Sequence, residues 1–127
     1  MRPRLLVVIT AFWCAAPVGT PAEDKILRAS EAKQHIGSAG TVCGNVMSTR
    51  YLNSSRGQPT FLDLDKASPK QEFSVMIAGA DREKFGGSPE VTYRDKVICV
   101  TGQIRSNQGG AQIAATEPKQ IEIQGER

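Results

Sequence analysis

Residues 72–87 read EFSVMIAGADREKFGG, and this run changes character halfway along. Its first part alternates apolar side chains with Ser74 and Met76, a pattern typical of a strand that is buried on one face. The apolar members are Phe73, Val75 and Ile77. Its second part, residues 80–85, is polar and compatible with a helix, and two glycines end it. We therefore predict a strand followed closely by a short helix.

Four further strand-like runs flank this segment. They cover residues 41–49, 60–65, 96–105 and 111–115. Gly44 interrupts the first run and predicts a β-bulge or a sharp bend. Three strands, one helix and two strands is the order of an OB-fold, so we predict an all-β domain over residues 30–123. It is a five-stranded barrel with short helices, one of them between strands 3 and 4. A five-stranded SH3-type barrel is the alternative, but it lacks a helix at that place.

The two ends of the domain have weaker patterns. Ser30 is a candidate N-cap for a short helix over residues 31–36, which would lead into the first strand and plug one end of the core. Ile121 and Ile123 either extend a terminal strand or cover an open edge of the barrel. The remaining segments are a linker over residues 23–29 and a tail over residues 124–127.

The first 22 residues have the organisation of a secretory signal peptide. Arg2 and Arg4 form a positive start, residues 5–16 are almost wholly apolar, and residues 20–22 offer small side chains for cleavage. An uncleaved anchor is the alternative, but a run of this length is too short to cross a hydrocarbon core of roughly 30 Å. We predict export of the mature chain to the periplasm or the medium, with no membrane span in it.

The balance of charges and the few cysteines and histidines restrict the classes of function that we expect for this chain. The sequence has 16 basic and 13 acidic residues, a net charge of +3. Two of the basic residues and none of the acidic ones lie in the predicted leader, so the mature chain would be close to neutral. This balance excludes a strongly cationic protein that condenses nucleic acid by charge alone. One His and three Cys leave little for a zinc site, and we expect neither a metal nor another cofactor.

Export also changes the meaning of the cysteines. Cys14 leaves with the predicted leader, which leaves Cys43 and Cys99 in two similar strand-like contexts. An even pair in an oxidising compartment predicts a disulfide bond. Two buried free thiols are the alternative.

Five short segments carry a family resemblance. They read EAKQHIG (31–37), TVCG (41–44), RGQPTFLDLD (56–65), ICVTG (98–102) and EPKQI (117–121). Together they resemble small exported bacterial OB-fold proteins of the nucleic-acid-binding type, described as anticodon-binding or helicase-like. The run FLDLD at 61–65 is similar to the second strand of OB domains that bind anticodons, in which an aromatic ring stacks on a base. The resemblance gives that role to Phe61.

Six residues form the candidate nucleic-acid site. They are Arg50, Tyr51, Arg56, Phe61, Met76 and Arg105. Guanidinium groups pair with phosphates and aromatic rings stack on bases, and OB-folds bind through the loops in which most of these residues lie. The alternatives are ordinary solvated hairpin tips, and a Phe61 that packs under a loop or against the tail. We interpret Asp63 and Asp65 as a solvated face of their strand.

The sequence thus predicts weak binding of single-stranded DNA or RNA without sequence specificity. The alternative is an envelope module that binds a protein, a small molecule or an oligosaccharide on the same face. No nucleophile lies in a recognisable triad or elbow, so we expect no catalytic residues and no enzymatic activity.

Overall fold

The computed structural model describes residues 26–125 and Pro3. The predicted signal peptide, apart from Pro3, and the first three residues of the predicted linker lie outside the described residues. Within the described part of the chain, no helix is long and apolar enough to cross a membrane.

Seven strands and four short helical segments make up residues 26–125. The strands are β1 (Ile26–Arg28), β2 (Ala39–Tyr51), β3 (Thr60–Leu64), β4 (Phe73–Ile77), β5 (Val97–Asn107), β6 (Gly110–Ala114) and β7 (Ile121–Ile123). Three helical segments are 3₁₀ helices, at Ala29–His35, Gly79–Phe85 and Pro118–Gln120, and the fourth is helix α1 (Pro89–Thr92). The five predicted strands are all present as β2 to β6, within two residues of their expected bounds.

Five of these strands close into a barrel. The first half of β2 pairs antiparallel with β5, and its second half pairs antiparallel with β3. From β3 the ladder continues antiparallel to β4, parallel to β6 and antiparallel back to β5. The helix Gly79–Phe85 and α1 lie between the third and fourth strands of the barrel. This arrangement confirms the predicted OB-fold, although α1 was not predicted.

The alternation of apolar residues produces the core. Each barrel strand contributes apolar residues to the interior, where burial of hydrophobic surface is the main stabilising contribution. Fully buried members include Val42, Val46, Leu62, Leu64, Phe73, Val75, Ile77, Ile98, Val100 and Ile113. Phe85, at the end of the helix between β4 and β5, is also buried and belongs to the same cluster.

The irregularity in the long strand β2 lies at a different place from the one predicted. Gly44 is paired in regular register with Ile98, and the irregularity lies between Val46 and Ser48, where β2 leaves β5 and joins β3. The glycine has another function, because a Cβ atom at position 44 would lie 2.7 Å from Oδ1 of Asp65. Gly44 therefore allows a close approach rather than a bulge.

The start of the domain also differs from the prediction. Residues 26–28 form β1, parallel to β2, instead of the end of an irregular linker, and Leu27 is buried against the core. The helix that follows begins at Ala29 rather than after Ser30, and it is a 3₁₀ helix. The backbone N–H of Arg28 donates to Oε1 of Glu31 across its first turn. At the other end β7 pairs with β5 and so extends the sheet.

The predicted disulfide is present. Cys43 of β2 and Cys99 of β5 are directly opposite each other in the antiparallel ladder, and their sulfur atoms are bonded. The bond joins positions 56 residues apart in the sequence. It therefore ties together the two longest strands of the barrel.

Candidate ligand-binding face

Three predicted site residues lie side by side on the outer surface of the barrel. In the register of β2, β3 and β4, Arg50 is opposite Phe61, and Phe61 is opposite Met76. All three residues are half-buried. Phe61 alternates with the buried Leu62 and Leu64, and Met76 alternates with the buried Val75 and Ile77, so both face outward, and the strand register brings them together with Arg50.

A second cross-strand row runs beside the first. Asp63 of β3 is opposite Ser74 of β4, and Ser74 is opposite Gln112 of β6. Gln112 is in turn opposite Arg105 of β5. Arg105 is exposed, so this predicted site residue ends a polar row on the same barrel surface.

The carboxylate of Asp63 is fully buried in the middle of this surface. It accepts hydrogen bonds of 2.7 Å from the hydroxyls of Ser48 and Ser74. It also accepts two hydrogen bonds of 2.9 Å from the Arg50 guanidinium. The prediction of a solvated carboxylate is therefore wrong for Asp63, because side chains from both neighbouring strands cover it. Asp65, just beyond β3, is exposed and accepts the backbone N–H of Asn45.

Arg50 is a structural cation at the edge of this surface. Its guanidinium is held by Asp63 and also lies over the Phe61 ring, 4.6 Å from the ring centroid. A charge that is already neutralised by a buried carboxylate adds little to phosphate binding. The Arg50 guanidinium therefore contacts both Asp63 and the Phe61 ring, and the sequence prediction that it pairs with phosphate stays a prediction.

Tyr51 has a comparable internal partner. The guanidinium of Arg82 lies over its ring, 3.5 Å from the centroid. Arg82 also donates to both carboxylate oxygens of Glu90 and to the Thr60 hydroxyl. The hydrogen bonds from Arg82 lower the pKa of Glu90, and the same contacts raise the pKa of Arg82. This cluster attaches α1 to the barrel, and it leaves Tyr51 with one ring face covered.

Sequence reasoning did not find Arg82 or Glu90. The two residues are eight positions apart, and a glycine pair and a new helix start separate them. Only the turn between the two helical segments brings their side chains together, so no local spacing rule would have paired them.

Phe61 lines two clefts on this surface. The first has a volume of about 390 Å³ and lies between the 66–72 segment and the β5–β6 hairpin. Its polar lining includes Arg50, Ser68, Gln71, Glu72, Ser74, Asn107 and Gln108. Phe61, Phe73, Pro59 and Leu52 supply apolar surface. Aromatic surface with several amide groups suits a flat, hydrogen-bonding ligand.

The second cleft has a volume of about 330 Å³ and is more open. Arg56, Phe61 and Met76 line it, together with Asn107 and Gln112. Arg56 is exposed and makes no ion pair with any residue that the structure describes. Of the six predicted site residues, these three share one cleft, Arg50 lines the other, and Arg105 and Tyr51 lie outside both.

Two residues in the first cleft were missed by the sequence analysis. Oε1 of Gln71 is buried and has no hydrogen-bond partner among the described residues. Its neighbour Glu72 forms ion pairs with Lys66 at 3.2 Å and Lys33 at 3.8 Å. The hydrogen bond from Lys66 and the charge of Lys33 lower the pKa of Glu72. The cleft therefore contains a compensated carboxylate and an unsatisfied amide oxygen.

No group of three His, Cys, Asp or Glu side chains among residues 26–125 is arranged to hold a metal ion. The hydrogen-bonding groups of the two clefts are mostly amides and hydroxyls. Such a lining can bind a ligand by hydrogen bonds and stacking.

Comparison with known proteins shows similarity to this chain at the level of the fold. No protein-family model and no curated protein matches this sequence. Among solved structures, the chain is similar to an aspartyl-tRNA synthetase from Entamoeba histolytica, with a TM-score of 0.50 and 13% identity. The similarity covers 97% of this chain and 28% of the synthetase. A chain from Leishmania major Friedlin, described as an aspartyl-tRNA synthetase, has a TM-score of 0.51 and 12% identity.

A second group of similar structures consists of small single barrels. OBody AM1L10, bound to hen egg-white lysozyme, has a TM-score of 0.51 and 18% identity, over 75% of this chain and 86% of the OBody. The Leishmania match covers 84% of this chain but only 22% of that protein. At these identities the similarity shows that the chain is an OB-fold barrel.

Proposed function

We propose that this protein is an exported OB-fold module that binds a short stretch of single-stranded nucleic acid on the face around Phe61. The observation that carries the proposal is the position of the Phe61 ring, half-buried and shared by two clefts on the outer barrel surface. Base-to-aromatic stacking contributes about 1–3 kcal/mol per base and tolerates any base. The protein therefore binds without strong sequence preference.

The distribution of charge makes this binding weak. Arg50 and Arg82, the two guanidinium groups closest to the aromatic rings, are both paired with carboxylates. Arg56 beside the second cleft and Arg105 on β5 are exposed and remain for phosphates. Two phosphate contacts on a single strand correspond to a slope of log K against log salt of about −1.4.

Two kinds of observation support the proposal. One is the similarity to solved structures, and the other is the leader and the disulfide bond of the chain itself. The synthetases that share this fold are proteins that act on tRNA, as their names state. The leader-like residues 1–22 and the Cys43–Cys99 bond are compatible with export. The proposed role is binding, and it requires no cofactor and no catalytic residue.

The proposal is tested by fluorescence anisotropy of labelled single-stranded DNA and RNA with the oxidised protein, at low and at physiological salt. Phe61→Ala removes the stacking surface and is expected to weaken binding by about 1–3 kcal/mol, roughly five- to 150-fold. Val91→Ala is the control, because it removes an exposed apolar side chain that lines neither cleft. Absence of binding at low salt, or unchanged affinity in Phe61→Ala, would contradict the proposal.

The pairing of Arg50 and Arg82 with carboxylates favours a second candidate function of another class. A face whose central cations are neutralised also suits an uncharged ligand, such as an oligosaccharide or a segment of an envelope protein. The OBody structures, in which a barrel of this fold is bound to lysozyme, support a protein partner. Capture of one defined envelope component that survives nuclease treatment and is lost in Phe61→Ala would favour this candidate.

A further inference from the structure

We propose that the Cys43–Cys99 bond is a site of thiol–disulfide exchange with an external dithiol, and that Cys43 is the more reactive thiol of the reduced pair. The site lies on the outer surface of the sheet that β1, β2, β5 and β7 form. Neither cysteine lines either cleft, so the inference does not depend on the ligand of the face around Phe61.

The first observation is that the disulfide faces away from the core. Cys43 follows the fully buried Val42 in β2. Cys99 lies between the fully buried Ile98 and Val100 in β5. Because successive side chains of a strand point to opposite faces, both cysteines point outward, and both are half-buried rather than buried. Exposed disulfides are the ones that external thiols reduce most readily.

The second observation is a charged residue on each side of the bond. In the strand register, Arg28 of β1 is opposite Cys43, and Glu122 of β7 is opposite Cys99. Both charged residues are exposed and follow a buried neighbour, so they share the outer face of the sheet with the cysteines. The row therefore runs from a cation through the disulfide to a carboxylate, with neighbouring strands about 4.8 Å apart.

The neighbouring rows of this surface are uncharged among the described strand residues. Their outward positions are Ile26, Thr41 and Thr101 on one side, and Asn45 and Val97 on the other. The carboxylate of Asp65 approaches β2 at Gly44 and accepts the backbone N–H of Asn45. Gly44 alternates with Cys43 and so belongs to the other face of the strand. Arg28 and Glu122 are thus the charges that distinguish the two sulfur atoms.

These two charges make the thiols unequal once the bond is reduced. The thiolate is the nucleophilic form of cysteine; a nearby cation stabilises it and a nearby carboxylate disfavours it. Arg28 therefore favours the thiolate of Cys43, whereas Glu122 favours the protonated form of Cys99. Cys43 is the nucleophile of the reduced pair.

The exchange moves two electrons from the dithiol to the protein. One thiolate of the dithiol attacks a sulfur of the pair, the Cys43–Cys99 bond breaks, and a mixed disulfide forms. The second thiol of the reagent loses its proton and attacks the reagent's own sulfur in the mixed disulfide. This step closes the disulfide of the reagent and releases the second cysteine, and the two protons lost by the dithiol are balanced by two on the cysteines.

The barrel has other interactions that hold it together when the bond is open. Seven register pairs join residues 39–45 of β2 to residues 97–103 of β5. The side chains of Val42 and Val100 remain in the core between these strands. We therefore expect a folded dithiol form.

The first test measures how fast dithiothreitol reduces the protein at several urea concentrations below the unfolding transition. Direct attack on the exposed bond predicts a rate that does not follow the unfolding equilibrium, and a reduced protein that keeps a cooperative thermal melt. A rate that rises with urea in parallel with the unfolding equilibrium constant would overturn the site, because the bond would then open only in the unfolded chain. Loss of the cooperative melt on reduction would also overturn it.

The second test treats the reduced, folded protein with a limiting amount of iodoacetamide at neutral pH. Mass spectrometry of the separate peptides then gives the alkylation rate of each cysteine. Cys43 is expected to react roughly two- to fivefold faster than Cys99, since the lower nucleophilicity of a stabilised thiolate offsets part of its larger population.

Charge variants assign this ratio to the row. Arg28→Ala should bring the ratio towards one, and Arg28→Lys should preserve it. Glu122→Gln should also lower the ratio, by making Cys99 more reactive. Lys70→Ala is the control, because it removes an exposed cation from the 66–72 segment, outside this sheet. Faster alkylation of Cys99, or an unchanged ratio in a folded Arg28→Ala variant, would overturn the role of Cys43.

Discussion

The guanidinium of Arg50 and the carboxylate of Asp63 form a bidentate pair on neighbouring strands, with two hydrogen bonds of 2.9 Å. Asp63 is 0% exposed, whereas the Arg50 side chain reaches the surface and covers the ring of Phe61. The pair therefore connects the interior of the sheet to the aromatic surface that we assign to the ligand.

Replacement of Asp63 by Ala should be strongly destabilising. The change leaves the Arg50 guanidinium without its carboxylate and removes the acceptor of the Ser48 and Ser74 hydroxyls. Because the Arg50 side chain reaches solvent, we expect a loss of about 1–3 kcal/mol, mainly from the hydroxyls left without an acceptor, which urea denaturation would measure. The double variant Arg50→Met with Asp63→Ala should recover part of this loss. Equal stability of Asp63→Ala and the unmodified protein would contradict the pairing.

Loss of the Cys43–Cys99 bond should destabilise the barrel without changing its fold. Closing a loop across 56 positions contributes about 4 kcal/mol in the chain-entropy model, because it restricts the unfolded chain. Replacement of both cysteines by Ser should lower the free energy of unfolding by an amount of this order. The folded, unreduced protein should contain no thiol that reacts with an alkylating reagent at positions 43 and 99.

Acid should weaken the attachment of α1 through Glu90. Arg82 holds the pKa of Glu90 below its ordinary value of 4.5, so the unfolded chain takes up the proton first as the pH falls. The stabilisation is fully present above 4.5 and is lost as the pH falls through the folded-state pKa. In Glu90→Gln the free energy of unfolding should depend less on pH in this acidic range. Glu83→Gln changes an exposed residue and serves as the control. Identical profiles for Glu90→Gln and the unmodified protein between pH 5 and 3 would disprove the coupling.

Salt dependence should identify Arg56 as a phosphate contact. Arg56→Ala removes an exposed cation at the second cleft, so the slope of log K against log salt should become shallower by about 0.7. Lys119→Ala removes a cation of the same charge from the exposed 3₁₀ helix before β7 and should leave the slope unchanged. Binding isotherms at several salt concentrations would measure both. Equal changes of slope in the two variants would mean that binding depends only on the overall charge of the protein and not on the position of Arg56.

Gly79→Ala should displace the loop that carries Arg56. A Cβ atom at position 79 would lie 2.8 Å from the backbone oxygen of Gly57 and 2.9 Å from Cβ of Gln58. The Gly79 N–H also donates to that oxygen, so the backbones are in direct contact. We expect a loss of about 1–3 kcal/mol in stability from this overpacking, together with weaker ligand binding. Ala80→Ser changes the next, exposed residue and should alter neither quantity.

Local patterns were sufficient for most of the barrel. Period-two alternation in residues 60–65 and 72–78 identified β3 and β4, because each strand has one face in the core. The even pair left by the predicted leader, together with the similar strand contexts of Cys43 and Cys99, predicted their bond. In each case the property depends on residues that are neighbours in the sequence or on one pair of like segments.

Predictions failed where a distant partner decides the outcome. Asp63 has the alternation of a solvent-facing residue, but Arg50 and Ser74 from two other strands enclose it. Residues 26–28 lack a clear strand pattern, and they become β1 because the edge of β2 is available for pairing. The register shift of β2 lies where β2 changes partners, and no glycine lies at that place.

The sequence by itself determined the order of the barrel strands, the inward side of β3 and β4 and the cysteine pair, because hydrophobic periodicity and residue chemistry are properties of the chain. Only the tertiary structure decided which cations are exposed and which are neutralised by a carboxylate. Arg50 and Arg56 look equivalent in the sequence, but a buried carboxylate neutralises the first and leaves the second exposed. The reason is physical: a charge's function depends on the groups that desolvate and pair with it, and strands distant in the sequence supply those groups.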